Sequence, residues 1–246
     1  MAQIPDDLPS LKRFPTTDWS LVVAAGDPDA PRSKESLATL CGAYWYPIYA
    51  YIRHRGYPPE SAQDLTQDFF TRVLEKGLFA EADPDRGRFR SFLRTVCTHY
   101  LANRRDRERT FKRGGGRTSL PIDSADAESR YTREPAHELT PDRIFDRSWA
   151  LTLLTRVFDQ LRREYEDAGR GTVIDELRAV LTEDPQAAPY SKIAARLGIS
   201  EGAVRVAVHR LRRRYGILLR REIGTTVDDP AEVDDEIRAL FAALRT

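Results

Sequence analysis

Arginines recur at helical spacing between Arg86 and Arg117, and this stretch is the part of the chain best suited to hold an anion. It contains 11 lysines and arginines against two acids. The face opposite its apolar residues carries Arg90, Arg94, Thr98, Arg105 and Arg109, with Arg88 at the start; the apolar residues are Phe89, Phe92, Leu93, Val96, Cys97, Tyr100 and Leu101. Guanidinium groups hold phosphates and aromatic rings stack on unpaired bases, so this surface suits a nucleic-acid strand. A solvated helix face would show the same pattern.

A second basic segment, from Tyr190 to Arg214, has the spacing and turn chemistry of a helix-turn-helix. Gly198 permits a tight turn, Ile199 is expected to pack between the two helices, and Ser200 is suited to cap the second one. The residues predicted to face inward are Ile193, Ala194, Leu197, Val204, Val208 and Leu211. Those predicted to face outward, toward base edges or phosphates, are Arg205, His209, Arg210, Arg212 and Arg213. Short amphipathic hairpins can imitate this pattern.

Charge is distributed unevenly along the 246 residues, although the net charge is only +1. Residues 201–222 hold seven arginines against two glutamates, whereas residues 123–146 hold seven acids against three arginines. Residues 227–246 are also acidic, with six acids against two arginines. Two basic modules separated by acidic segments suggest two contacts with one polyanion.

The two cysteines, Cys41 and Cys97, lie in apolar helical patterns and are expected to be reduced core residues of a cytoplasmic protein. Neither a zinc-ligand spacing nor a signal peptide is evident, and no apolar run reaches membrane-spanning length. The sequence therefore predicts no metal, no cofactor and no membrane association.

The periodic segments all have the helical period, which predicts an all-α fold of two helical domains joined by a flexible acidic linker. Pro47 is expected to kink or break the first long helix. The predicted parts are a lead-in (1–32), a first domain (33–113), the linker (114–140), a helix-turn-helix domain (141–222) and an amphipathic tail (223–246). The apolar side of the tail is formed by Val233, Ile237, Leu240, Phe241 and Leu244.

The order of these segments resembles that of bacterial RNA polymerase sigma factors. The stretch Tyr57-Pro-Pro-Glu-Ser-Ala-Gln-Asp-Leu-Thr-Gln-Asp-Phe-Phe resembles their core-polymerase-binding helix, and Asp83-Pro-Asp-Arg-Gly-Arg-Phe-Arg-Ser-Phe-Leu resembles the segment after it. The segment from Tyr190 to Arg214 resembles their upstream-promoter-binding region. A two-domain size without a middle domain is similar to the extracytoplasmic-function group.

The resemblance implies a transcription initiation factor that directs core RNA polymerase to promoters. Asp64, Gln67 and Asp68 would face the clamp helices of the polymerase β′ subunit, with the β flap as a further contact. The minus-ten element would be held and opened by Arg88, Arg90, Arg94, Thr98, Arg105 and Arg109. The minus-thirty-five element would be read by Ser200, Arg205, His209, Arg210 and Arg213. The acidic linker would run toward the polymerase active-site channel.

Two departures from the family pattern concern these surfaces. Many members have asparagine where Thr98 stands, which leaves the minus-ten preference open. Many also have Asp-Ala-Glu-Asp where this chain has Ser61-Ala62-Gln63-Asp64, so two negative charges are missing from the polymerase-facing helix. One hypothesis is that phosphorylation of Ser61, or of Thr66, by a Ser/Thr protein kinase restores that charge. The simpler interpretation is that polymerase binding tolerates the loss of these two charges. Control by an anti-sigma factor is a further alternative.

Two other classes of function compete with this interpretation. A stand-alone helix-turn-helix transcriptional regulator would bind duplex DNA without recruiting polymerase. A nucleic-acid-processing enzyme is the weakest alternative, because the sequence has no paired-carboxylate metal motif, no Gly-rich phosphate loop and no evident catalytic triad. We therefore expect no enzymatic activity and no catalytic residue.

Overall fold

The computed structural model describes residues 22, 25, 33–82, 88–110, 124–133, 139–182, 190–224 and 230–245. Over these ranges the backbone forms helices and turns without a strand, which confirms the all-α prediction. The helices are α1 (Ser33–His54), α2 (Pro59–Glu75), α3 (Phe89–Thr110), α4 (Ser124–Arg133), α5 (Pro141–Asp167), α6 (Gly171–Thr182), α7 (Tyr190–Leu197), α8 (Glu201–Gly224) and α9 (Val233–Leu244). Short 3-10 turns cover Leu78–Glu81 and Pro230–Glu232.

The chain divides into two compact units, and the division falls inside helices rather than in the predicted linker. The first unit comprises residues 15–153 and 223–246, and the second contains residues 154–222. The start of α5 belongs to the first unit, where Ile144, Phe145 and Trp149 are buried. The tail helix α9 also belongs to the first unit. Through these buried side chains the start of α5 packs with the first unit.

Helix α1 contributes five buried aromatic side chains to the core of the first unit: Tyr44, Trp45, Tyr46, Tyr49 and Tyr51. It continues from Ser33 to His54 through Pro47, so the predicted break is absent. The residues around the proline, Tyr44 to Ile52, are all buried, and their packing offsets the loss of one backbone hydrogen bond. The aromatic side chains of this helix are therefore core residues.

Helices α2 and α3 complete that core through the apolar faces that their spacing predicted. On α2, Leu65, Phe69 and Val73 are buried, and on α3 Leu93 and Cys97 are fully buried. The Phe69 and Tyr100 rings lie 5.7 Å apart. The two cysteines are buried free thiols, in agreement with the expectation of core residues.

Helix α4 lies in the segment predicted to be a linker without regular structure, so that prediction is wrong for residues 124–133. Glu128 accepts two hydrogen bonds from the Arg53 guanidinium, at 2.9 and 2.8 Å, and one from the Tyr49 hydroxyl. The Arg130 guanidinium lies 3.8 Å from the centre of the Tyr46 ring. Polar contacts with α1 therefore hold α4 in place. The spacing of apolar residues in the sequence does not reveal contacts of this kind.

The turn between α7 and α8 in the second unit follows the predicted chemistry. Gly198 has a φ of 65°, a left-handed conformation that favours glycine. The Ile199 amide donates to the Ala194 carbonyl at 3.1 Å, the six-residue bond of a Schellman end. Ser200 Oγ accepts from the Ala203 amide at 3.2 Å, which is an N-cap bond to the third helical residue. Ile199 itself is 41% exposed, so the prediction that it packs between the helices is wrong.

Candidate nucleic-acid and partner-binding surfaces

The outward face of α8 presents a row of basic side chains to solvent. Its inward face is fixed by Val204, Val208 and Leu211, all buried as the spacing predicted. The exposed residues on the other side include all five basic residues predicted to face outward, namely Arg205, His209, Arg210, Arg212 and Arg213, together with the capping Ser200. A helix that is anchored by one apolar face and basic on the other can enter a groove of duplex DNA.

One apolar residue in this row was missed by the sequence reasoning. Val206 is 49% exposed and directly follows Arg205. An exposed valine among arginines can contact a thymine methyl group, which carries sequence information that phosphate contacts lack. The signal was available, because Val206 falls outside the three-and-four spacing of the buried stripe.

Two arginines of α8 have structural roles. Arg212 is exposed, as its outward position predicted, and it also donates to the Val180 carbonyl near the end of α6 at 3.0 Å. The Arg214 guanidinium makes two bonds to the Glu164 carboxylate, at 2.8 and 2.7 Å. These contacts fix α8 within the second unit and leave the outward-facing basic residues on its outer side.

The arginines at the start of α3 are in a different environment. Arg90 is only 7% exposed, so the prediction that it lies on an open face is wrong. Its guanidinium stacks 4.3 Å above the Trp149 ring and forms an ion pair with Glu236 of α9. The carboxylate of Asp146 lies 3.8 Å away. Burial lowers the pKa of Arg90 to about 10, with the neighbouring Arg88 charge acting in the same direction and Asp146 opposing it.

Arg88 and Arg94 flank this buried pair and also have acidic partners. Arg88 Nε lies 2.8 Å from Glu236 Oε2, and its side chain remains 41% exposed. Arg94 Nη1 donates to Asp146 Oδ2 at 3.3 Å, with Asp142 at 4.0 Å. Burial raises the pKa of Asp146 against the opposing effect of Arg90 and Arg94. The three arginines are therefore paired with carboxylates from α5 and α9.

The remaining residues assigned to this face differ in exposure. Thr98 is half-buried, where its hydroxyl lies 2.7 Å from the Tyr51 hydroxyl and donates to the Arg94 carbonyl at 2.9 Å. Arg105 is exposed and donates to the Tyr57 hydroxyl at 3.1 Å. The side chain of Arg109 lies outside the described residues. Of the side chains described on this face, Arg105 and part of Arg88 are open to a ligand.

Helix α2 presents less negative charge than its sequence suggests. Asp64 is exposed and Gln67 is half-buried. Asp68 Oδ2 accepts from the Tyr100 hydroxyl at 2.8 Å and from Arg72 and Arg104 at 3.0 Å each. Two arginines therefore neutralise Asp68, and Asp64 is the open carboxylate of the assigned trio.

The two candidate phosphorylation sites of α2 are not equally accessible. Ser61 is half-buried in the first turn, two residues after the start at Pro59. Thr66 is fully buried, and its hydroxyl donates to the Ala62 carbonyl at 2.7 Å. A kinase cannot reach Thr66 in this fold, so the structure leaves Ser61 as the candidate.

Sequence reasoning missed the acidic side of the α3 cluster. Glu236 is 1% exposed in the first turn of α9, and the Trp149 ring beneath Arg90 is 4% exposed. Glu236 lies three residues after Val233 and four before Leu240, within the apolar stripe of the tail. A lone carboxylate in such a stripe is the signal that could have identified it, because a buried carboxylate requires a partner. Phe241, assigned to the same stripe, is 44% exposed.

A cavity of about 270 Å³ adjoins this cluster in the first unit. Its lining combines arginines with the indole and small residues of α9: Arg88, Arg90, Arg143, Asp146, Trp149, Ala239, Ala242 and Ala243. Among the described residues there is no group of three or more side chains that could hold a metal ion. No described helix is both long and apolar enough to cross a bilayer. Searches of family models, curated proteins and solved structures give no match to this chain.

Proposed function

We propose that this protein is a transcription initiation factor of the sigma type, which binds core RNA polymerase and directs it to specific promoters. The observation that carries the proposal is the outer face of α8. Ser200 caps that helix, three buried apolar residues orient it, and Arg205, His209, Arg210 and Arg213 are all exposed along it. This is the arrangement that a helix-turn-helix needs to place basic side chains in the major groove of a minus-thirty-five element.

The second promoter contact is assigned to α3. In an opened minus-ten element the unpaired strand offers phosphates to arginines and bases to aromatic rings. The exposed Arg105 lies against the half-buried Tyr57, with 5.5 Å between the guanidinium and the ring centre. Arg88, Arg90 and Arg94 join this surface once they exchange their carboxylate partners for phosphates.

The polymerase contact is assigned to α2, whose family counterpart faces the β′ clamp helices. Of the two acids assigned to this contact, Asp64 is the exposed one, because Asp68 is held by Arg72 and Arg104. With Asp68 neutralised and two family acids missing, this surface should attract a basic partner less strongly. Low intrinsic affinity for core polymerase follows, and an added negative charge on α2 should strengthen it.

Ser61 is well placed to supply that charge when phosphorylated. Helix α2 begins after Pro58 without a side-chain cap, so the amides of its first turn lack a side-chain acceptor. Phosphate at Ser61 adds about −1.5 to −2 charge at a helix N-terminus, where the helix dipole favours an anion. We therefore include a Ser/Thr protein kinase among the partners of this protein.

Run-off transcription with core polymerase tests the proposal directly. The protein should yield promoter-dependent transcripts that core enzyme alone does not produce. Genomic fragments supply candidate templates. The competing function, a stand-alone regulator, predicts tight binding of duplex DNA by the free protein and no transcripts, and that result would remove the proposal.

The charge hypothesis for α2 is tested by comparing core-polymerase affinity of the wild type, Ser61→Glu and Ser61→Ala proteins. Ser61→Glu should bind several-fold more tightly, because it adds a carboxylate beside Asp64. Ser61→Ala serves as the matched control and should bind like the unmodified protein. Thr66→Glu should unfold α2 instead, since Thr66 is fully buried. Equal affinities of the Ser61 variants would remove the kinase hypothesis and leave the sigma proposal intact.

A further inference from the structure

The three arginines at the start of α3 are the part of the proposed nucleic-acid surface that the protein itself covers. Glu236 lies at 2.8 Å from Arg88 and forms an ion pair with Arg90, while Asp146 and Asp142 accompany Arg94. All of these residues belong to the first unit. Each of these three arginines is thus paired with a carboxylate from a later part of the same unit.

Glu236 is placed where an apolar residue would serve stability equally well. It is 1% exposed within the apolar stripe of α9, and burying a carboxylate is unfavourable unless strong partners compensate. Replacing buried ion pairs by well-packed apolar side chains is often neutral or stabilising. The carboxylate therefore needs another explanation, and its two arginine partners point to exchange with a different anion.

A phosphodiester can replace Glu236 without leaving Arg88 and Arg90 unpaired. Both anions accept hydrogen bonds from guanidinium groups, which favour planar carboxylate and phosphate partners. Release of α9 into water would remove the closer carboxylate of Arg90 and leave only Asp146 at 3.8 Å, whereas a nucleic-acid strand would replace the lost anion. Tail release and strand binding are therefore linked.

The rest of α9 is held weakly enough for such an exchange. Glu236 and Leu240 are its buried residues among those described, and Phe241 remains 44% exposed. At its C-terminal end the Leu244 carbonyl accepts a bond from Arg147 at 3.0 Å. A cavity of about 270 Å³ remains between the α9 alanines and the arginines, so the helix fits incompletely.

A strand could make its first contact before the tail leaves. Arg88 is 41% exposed and Arg143, which also lines the cavity, is exposed. These two side chains offer an approaching phosphate a partner at the edge of the covered cluster. Displacement can then proceed stepwise from the edge to the buried Arg90.

We infer that α9 is a built-in competitor of single-stranded nucleic acid, in which Glu236 occupies the phosphate position on Arg88 and Arg90. The inference rests on the proposed function, because it assigns regulation to the same α3 surface. In the free chain the tail covers the surface and lowers its affinity. A strand presented at high local concentration, as on an opened promoter, displaces the tail.

The first test measures binding of a fluorescent single-stranded oligonucleotide to the full-length protein at low salt. Glu236→Gln keeps the shape of the side chain and removes its charge, and it should bind about tenfold more tightly than wild type. Glu232→Gln is the matched control, since it removes the same charge from an exposed glutamate just before α9. It should bind like wild type.

The second test follows the tail directly and covers the case in which Glu236→Gln folds poorly. Phe241→Cys provides an exposed thiol for a nitroxide label on otherwise wild-type protein. Cys41 and Cys97 are buried, and burial raises the pKa of the Cys41 thiol to about 11, so labelling should be selective. Oligonucleotide addition should increase the mobility of the label.

Equal affinities of Glu236→Gln and Glu232→Gln, or a label whose mobility is unchanged at saturating oligonucleotide, would overturn the inference. Absence of oligonucleotide binding by Glu236→Gln would overturn it as well, because the uncovered arginines would then bind no strand. The run-off assay is independent of these outcomes. Transcripts from wild type together with equal affinities would retain the proposed function and remove only the competing tail.

Discussion

The basic faces of α3 and α8 illustrate how one sequence pattern leads to two different surfaces. Arg205, Arg210 and Arg213 of α8 are exposed, whereas Arg90 and Arg94 of α3 are covered by carboxylates. Both helices are amphipathic and both carry arginines opposite their apolar stripe. The difference arises from partners that lie more than 50 residues farther along the chain, on α5 and α9. A helical period identifies which side of a helix is polar, but the tertiary contacts determine whether that side is open.

The comparison also separates two uses of arginine. On α8 the charge is available to a ligand, so its removal should affect binding more than folding. On α3 the charge of Arg90 compensates the buried carboxylate of Glu236, so its removal should affect folding first. Single substitutions at matched positions can test this division of roles.

The largest effect is expected for Arg90→Ala. It leaves Glu236 buried without its closest partner, and loss of one member of a buried pair costs about 3 kcal/mol of unfolding free energy. Urea denaturation of wild type and Arg90→Ala measures this difference in unfolding free energy. Arg105→Ala, an exposed position on the same helix, is the control and should change stability by less than about 0.5 kcal/mol. Similar stabilities of the two variants would contradict the structural role of Arg90.

Glu128→Gln tests whether carboxylate pairing also holds α4 on α1. The Arg53 and Tyr49 bonds to Glu128 are charge-assisted, so the substitution should cost about 2 kcal/mol at neutral pH. Arg53 holds the pKa of Glu128 below its ordinary value near 4.5. Because the folded pKa is depressed, this stabilisation is complete above that value and is lost as the pH falls through the folded pKa. The stability difference between wild type and variant, measured by urea unfolding from pH 7 to pH 3, should therefore shrink below about pH 4.5; a difference that stays constant would contradict this.

Arg210→Ala tests the open surface of α8. If the proposed function holds, promoter affinity of its complex with core polymerase should fall about tenfold. The slope of log affinity against log salt should become shallower by about one, since one phosphate contact is lost. Unfolding free energy should stay within about 0.5 kcal/mol of wild type. Arg196→Ala, an exposed arginine on α7 that pairs with Glu176, is the matched control. If both variants lose equal affinity, the effect is general electrostatics and not a specific contact of α8.

The smallest effect is expected for Ser200→Ala. The substitution removes the cap bond to the Ala203 amide, and such losses cost about 1 kcal/mol. Ser200→Asp should retain most of the stability because its carboxylate can also cap the helix. Thermal or urea unfolding of the three proteins measures the contribution of capping. A direct DNA contact would instead appear as weaker DNA binding by Ser200→Asp.

The fold could be predicted from sequence wherever one apolar face decides the structure. Val204, Val208 and Leu211 recur at helical spacing and are buried, and Gly198 has the conformation that its turn requires. The two exceptions have a physical cause. Helix α4 is held by Glu128 rather than by an apolar stripe, and α1 passes through Pro47 because the surrounding aromatic packing outweighs the lost bond.

The candidate sites could be predicted only as far as they depend on their own helix. Arg210 faces outward because its helix has one buried side, and the local pattern predicts this. Arg90 and Asp68 are neutralised by partners from other helices, Glu236 on α9 and Arg104 on α3. The local spacing of residues does not predict pairing between distant positions. The exception is a charged residue within an apolar stripe, such as Glu236, which indicates that a partner is needed.

The indole beneath Arg90 gives the protein an internal optical reporter. Trp149 is 4% exposed and has a guanidinium 4.3 Å above its ring, whereas Trp45, also buried, stacks on the Tyr49 ring. Tryptophan emission shifts with the charge and hydration around the ring. Departure of the tail helix would admit water and change the electric field at Trp149. The tryptophan emission maximum of the unlabelled protein should therefore shift when α9 leaves the arginine cluster.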